Sequence, residues 1–134
     1  CKSVFYFGDV SKASSAKLLS NFLSLLTTTS VIEFFKSAKK LDINIKLLCD
    51  VARLGSGNSG AVDRIADKAI KGNYKWYVFS VDNTYKDLNY INDLVSDLPN
   101  ANKLSKIAKS FYKQASKKGF GNLLVSELID KEKY

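Results

Sequence analysis

Four aspartates stand where apolar runs of this chain give way to polar turns: Asp9 after Val4–Phe7, Asp63 after a glycine-rich loop, Asp82 after Lys75–Val81, and Asp87 one helical turn later. Carboxylates gathered at the carboxyl ends of strands suit a hard cation, because Mg²⁺ and Mn²⁺ take oxygen ligands and open α/β sheets carry their sites at that edge. Such an ion positions water and neutralises the charge of a phosphodiester. This reading makes Asp9, Asp63 and Asp82 catalytic and adds Asp87 to them as a metal ligand. Each aspartate also has a plainer role, as a cap or first-turn charge of a helix. The chain has no histidine, which excludes a Ser-His-Asp triad and any histidine-bearing zinc site.

The elements that would position these groups are read from periodicity. Val4–Phe7 and Lys75–Ser80 are strand-like, each ending near an aspartate. Residues 11–27 carry Ala16, Leu18, Leu19, Phe22, Leu23, Leu25 and Leu26 at helical spacing, with Asp9 or Ser11 as N-cap, until Thr27-Thr28-Thr29-Ser30 breaks the pattern. Residues 31–35 lean to strand, and 43–54 read as strand or helix. A helix follows to Lys71 with Val62, Ile65, Ala66, Ala69 and Ile70 inward. Two more are expected, over 84–98 with Leu88, Ile91, Leu94, Val95 and Leu98 inward, and over 102–118 with Leu104, Ile107, Ala108, Phe111 and Ala115 inward. Strands alternating with helices predict a single α/β domain over 1–134, a Rossmann-like three-layer sandwich with a mainly parallel central sheet.

Gly55, Gly57 and Gly60 read G-x-G-x-x-G, which cradles a dinucleotide only where it follows a strand and opens a helix. Here it follows an ambiguous element, and no acid stands about twenty residues on at a strand end, so a flexible loop is the reading preferred. Lys103, Lys106, Lys109, Lys113 and Lys117 recur at three- and four-residue spacing, a stripe able to track a phosphate backbone as well as to face solvent. Trp76, Tyr77, Tyr85 and Tyr90 offer base-stacking faces or core filling.

Ser80-x-Asp82-x-x-Tyr85-x-x-Leu88 at the end of an apolar strand resembles the signature of the PIN-like and NYN nucleases, with Asp9 and Asp63 in the order those families use. The resemblance implies Mg²⁺- or Mn²⁺-dependent ribonuclease activity with Asp9, Asp63 and Asp82 as ligands and Ser80 in support. Asp67, one turn beyond Asp63, is a second candidate for the middle position. The alternatives are a non-catalytic RNA-binding or protein-interaction module with a degenerate acidic site, and a processed exported basic protein.

Composition sets the surroundings of this reading. The 134 residues are 46% hydrophobic and 25% charged, as in ordinary globular domains, and no apolar run is expected to be long enough to cross a membrane. A net charge of +8 comes almost wholly from lysine, which favours a polyanion such as RNA through its backbone rather than its bases. Cys1 and Cys49 are too few for a disulfide framework, so an intracellular place is expected, with export or lipid anchoring through Cys1 left open. A partner domain in a longer protein is also compatible with the sequence.

Overall fold

A computed structural model describes residues 3–75 and 77–131. The longest element, α1, runs Val10–Lys40. Asp9 caps it, accepting from the Lys12 amide at 2.9 Å. The threonine run that was expected to end the helix lies inside it. The hydroxyls of Thr27, Thr29 and Ser30 donate to the carbonyls of Leu23, Leu25 and Leu26 four residues back, which satisfies them without leaving the helix. The segment expected as a strand over 31–35 is helical too, and buries Val31, Ile32 and Phe35. The helix ends where Asp42 takes a positive φ of 54° and the Ile43 amide reaches back to the Ala38 carbonyl at 2.9 Å.

The ambiguous region resolves as α2, Ile45–Leu54, capped by Asn44. The glycine loop then leads to α3, Gly60–Ala69, where the Ser59 hydroxyl accepts from the Val62 amide at 3.2 Å. Val62, Ile65, Ala66 and Ala69 are buried as expected. α4, Val81–Leu94, is capped by Ser80, and Pro99 opens α5, Pro99–Ala115, where its missing amide is no loss. Gly119, at φ 86°, turns the chain through Ser116–Phe120 into a 3₁₀ segment, Val125–Asp130.

Among the described residues there is no strand; the one β feature is an isolated antiparallel bridge between Ser80 and Leu124. The mainly parallel sheet expected from the sequence is therefore absent from them. Val4–Phe7 is apolar but exposed and finds no ladder, and the Lys75–Ser80 run, part of which lies outside the described residues at Trp76, is an irregular crossing. That crossing is held by short links: Ser126 donates its hydroxyl to the Tyr74 carbonyl at 2.6 Å, and the Val125 amide donates to the Phe79 carbonyl at 2.9 Å.

α1 touches α2, α3, α4, α5 and the 3₁₀ segment, so one core forms along it. By length and composition alone α1 is apolar enough to cross a membrane, contrary to the expectation from the sequence. In this fold its buried Leu25, Ile32, Phe35 and Ala38 make it the core helix. α5 also differs in facing. Ser105, Ala108, Tyr112 and Ala115 are buried, while Leu104 and Ile107, expected inward, are exposed at 49% and 69%. Tyr112 tolerates full burial because its hydroxyl pairs with that of Thr29 at 2.9 Å. Burial pushes its pKa upward.

Candidate functional site

Helix N-termini place three of the four expected aspartates, and each has a local partner. Asp9 accepts from the Ser11 hydroxyl and the Lys12 amide, which hold its carboxyl below the usual carboxylate range. Asp63 lies in the first turn of α3, 3.6 Å from Arg53 Nε, and Arg53 Nη2 also holds Asp67 at 2.8 Å and lowers its pKa. Asp82, in the first turn of α4, accepts from the Ser116 hydroxyl at 2.6 Å, and its own amide donates to the Gly121 carbonyl. A Cβ at Gly121 would enter the space of the Asp82 carboxylate, so any larger residue here would have to displace it from Ser116. Asp87 accepts from Asn21 Nδ2 at 3.2 Å. Among the described residues no group of three or more His, Cys, Asp or Glu side chains could hold a metal ion. The expected Asp9, Asp63, Asp82 and Asp87 cluster is thus replaced by caps, an ion pair and a helix-to-helix link.

The other expected groups are placed as follows. Lys103, Lys106, Lys113 and Lys117 are exposed and Lys109 is half-buried, an exposure that a solvated face and an RNA-contacting face share. Tyr77 and Tyr85 pack against the core, Tyr90 is 56% exposed, and Trp76 lies outside the described residues, as does Cys1. Cys49 is a buried free thiol whose pKa is raised by desolvation, which makes it a poor nucleophile.

A cleft of about 360 Å³ lies beside α1, lined by Asn21, Ser24, Leu25, Arg64 and the loop residues Tyr77, Val78 and Phe79. A second, of about 280 Å³, adjoins it and shares Ser24, Arg64 and Tyr77. Asn21, Ser24 and Leu25 follow one another at three- and four-residue intervals along one face of α1, and Lys17 continues that face one turn toward the N-terminus. Asp87 can only accept, so one N–H of Asn21 Nδ2 is committed to it, and the second N–H and Oδ1 are left for other partners. A free amine, an amide N–H and a buttressing carboxylate can together hold a hydroxyl and take its proton. Sequence reading missed Lys17 and Asn21. The available signal was a polar pair spaced i, i+4 on a helix otherwise rich in leucine.

The glycine loop does not have the geometry of a dinucleotide cradle. It joins two helices, none of Gly55, Gly57 and Gly60 has a positive φ, and a Cβ at Gly57 would meet nothing. The fingerprint requires a strand before it and glycines whose side chains would obstruct the pyrophosphate or the helix packing.

Comparison with known proteins redirects the functional reading. Residues 11–130 match the profile of the family described as "NAD-binding of NADP-dependent 3-hydroxyisobutyrate dehydrogenase". No curated protein matches the sequence. Among solved structures, 3-hydroxyisobutyrate dehydrogenase from Mycobacterium tuberculosis, solved with L-serine, matches at TM-score 0.79 and 23% identity, over 98% of this chain and 47% of that one. The 3-hydroxyisobutyrate dehydrogenase from Salmonella typhimurium matches at TM-score 0.71 and 24% identity, over 89% of this chain and 41% of that one. These likenesses show a shared fold, and the chain spans less than half the length of either enzyme.

The findings overturn the PIN-like and NYN resemblance, and with it the ribonuclease reading, its hydrolase chemistry and its Mg²⁺ or Mn²⁺ cofactor; the cofactor to which the family points is NAD(P). Ser80-x-Asp82-x-x-Tyr85 is a helix start, with Ser80 as the cap, and not a nuclease motif. The Rossmann-like expectation holds only at its coarser level, that of an NAD-binding family, and not as a PIN-like sheet. The chain belongs to the family of NAD-binding, 3-hydroxyisobutyrate dehydrogenase-like proteins.

Proposed function

We propose that this protein takes part in the NAD(P)-linked oxidation of a small 3-hydroxy acid and that the cleft beside α1 holds the acid. The observation that carries the reading is the family match across residues 11–130. The names of the two structural relatives and the L-serine of one support the substrate class, since L-serine is itself a 3-hydroxy acid. The described residues contain no dinucleotide cradle at the glycine loop, so the reading needs a nucleotide-binding fold from sequence beyond these 134 residues or from a partner chain. An enzyme drawing on NAD(P) also fits the intracellular place expected from the cysteine content.

What this chain contributes is acid–base chemistry and orientation. Oxidising an alcohol to a carbonyl sends a hydride to NAD(P)+ and releases the proton of the hydroxyl, and Lys17, one turn from the cleft-lining Asn21 on α1, can take that proton in its free-amine form. The second Nδ2–H of Asn21 donates to the oxygen of the same hydroxyl and orients it, leaving the hydroxyl hydrogen to point toward Lys17, while Asp87 fixes the amide through the first N–H. Leu25, Val78 and Phe79 supply an apolar wall for a short carbon skeleton.

The test is NAD(P)H formation from 3-hydroxyisobutyrate or L-serine, followed by near-ultraviolet absorbance, with the protein assayed together with the nucleotide-binding fold that the reading requires. We expect turnover by the wild-type protein and a loss of about 10²–10⁴ in kcat for Lys17→Ala, with the helical circular dichroism unchanged because Lys17 is exposed. Undiminished kcat in Lys17→Ala would remove Lys17 from the reaction, and absence of turnover with either cofactor would remove the dehydrogenase reading.

A further inference from the structure

The two arginines of this chain have opposite surroundings. Arg53 is taken up by Asp63 and Asp67. Arg64, one residue beyond Asp63, has no acidic partner among the described residues, and it lines both clefts beside α1. No carboxylate is found among the described residues lining either cleft; the polar neighbours of Arg64 there are Ser24, Thr27, Ser59, Asn21 and Tyr77. An exposed guanidinium with no ion-pair partner among the described residues, at the junction of two clefts, is free to take an anion in a bidentate pair.

We propose that Arg64 is the residue that clamps the substrate's carboxylate, an inference that rests on the dehydrogenase reading above. A 3-hydroxy acid has two polar ends on a short skeleton, and the larger cleft offers a separate partner for each. Asn21, with Lys17 one turn away, meets the hydroxyl, and Arg64 meets the carboxylate in a bidentate pair. Leu25, Val78 and Phe79 cover the carbons between. Arg64 therefore selects acids over uncharged alcohols and sets which way round the substrate lies, and this orientation determines which carbon is oxidised. Lysine offers a point charge without the planar fork, so it would recover only part of the selectivity.

The experiment compares wild type, Arg64→Gln and Arg64→Lys in two readouts. In turnover, KM for 3-hydroxyisobutyrate should rise about ten- to a hundredfold in Arg64→Gln and less in Arg64→Lys, while the methyl ester should be handled alike by all three. An unchanged KM for the acid in Arg64→Gln would overturn the assignment while leaving the dehydrogenase reading intact. The second readout does not need activity: the Arg64 Nε–H resonance should shift on titration with 3-hydroxyisobutyrate and stay put with its methyl ester. A shift in protein that shows no turnover would sustain the carboxylate site and remove the dehydrogenase reading, whereas no shift would overturn the site itself.

Discussion

Single residues in this chain are most often decided by what stands next to them, and Gly121 and Asp82 show it. Asp82 carries the strongest sequence signal for a catalytic group, yet its carboxylate is spent on the Ser116 hydroxyl and its amide on Gly121, which join the start of α4 to the turn after α5. A Cβ at Gly121 would enter the space of that carboxylate, whereas one at Gly57 would meet nothing within 4 Å. Gly121→Ala should therefore cost about 1–3 kcal/mol in urea unfolding, and Gly57→Ala should stay within about 0.5 kcal/mol. Equal effects of the two would mean that Asp82 swings away freely and holds nothing. The same pair explains why the candidate site was hard to read from the sequence. An aspartate in a turn looks alike whether it caps a helix or binds a metal, and what tells them apart is a donor thirty-four residues away. Lys17 and Asn21 sit in mid-helix, where polar residues ordinarily face water, so their sharing of a face with a cleft is visible only once Asp87 is brought against Asn21.

At the scale of elements, α1 depends on its cap in a way that pH can switch. The Ser11 hydroxyl and then the Lys12 amide lower the pKa of Asp9 below its ordinary 3.8, so the folded chain binds that proton less readily than the unfolded one. The stabilisation is complete above the ordinary value and is lost as pH falls through the lowered one. Protection of the Lys12 amide, measured relative to its intrinsic exchange rate, should fall across that acidic window in wild type, and the change should vanish in Asp9→Asn, which caps without titrating. A pH-independent protection of the Lys12 amide in wild type would show that the carboxylate does not govern the first turn. The helices were largely legible in the sequence, because α3 and α4 carry their own caps and apolar periods at Ser59 and Ser80. The strands were misread for a matching reason. Val4–Phe7 and Lys75–Ser80 have the composition of strands, but a strand exists only with a partner ladder, and composition says nothing about the partner. The buried face of α5 was also misassigned. Leu104 and Ile107 are among its larger apolar residues, yet α1 and α4 approach on the side of Ser105, Ala108 and Tyr112, where the first two are small and Tyr112 fills the core with its hydroxyl paired to Thr29.

The molecule as a whole is built around one long helix, and its apolar residues are divided unequally between the core and the surface. Ile32 and Phe35 of α1 are fully buried, and Phe35 meets Phe34 edge to face at 5.3 Å. Leu47, Val51 and Leu54 of α2 lie at three- and four-residue spacing yet are 62%, 68% and 92% exposed, so this apolar stripe contributes little to the folded chain. If cohesion rests on α1, substitutions of comparable chemistry on the two helices must differ greatly in cost. Phe35→Ala removes a ring from the junction of α1 with the rest of the core and should cost about 3–5 kcal/mol, a large fraction of the roughly 5–15 kcal/mol that holds a domain folded. Leu54→Ala should stay within about 0.5 kcal/mol. Denaturant melts of both variants, with unchanged m-values to confirm that the same surface unfolds, decide the matter. Comparable losses in the two would place part of the core on α2 and contradict a fold gathered along α1.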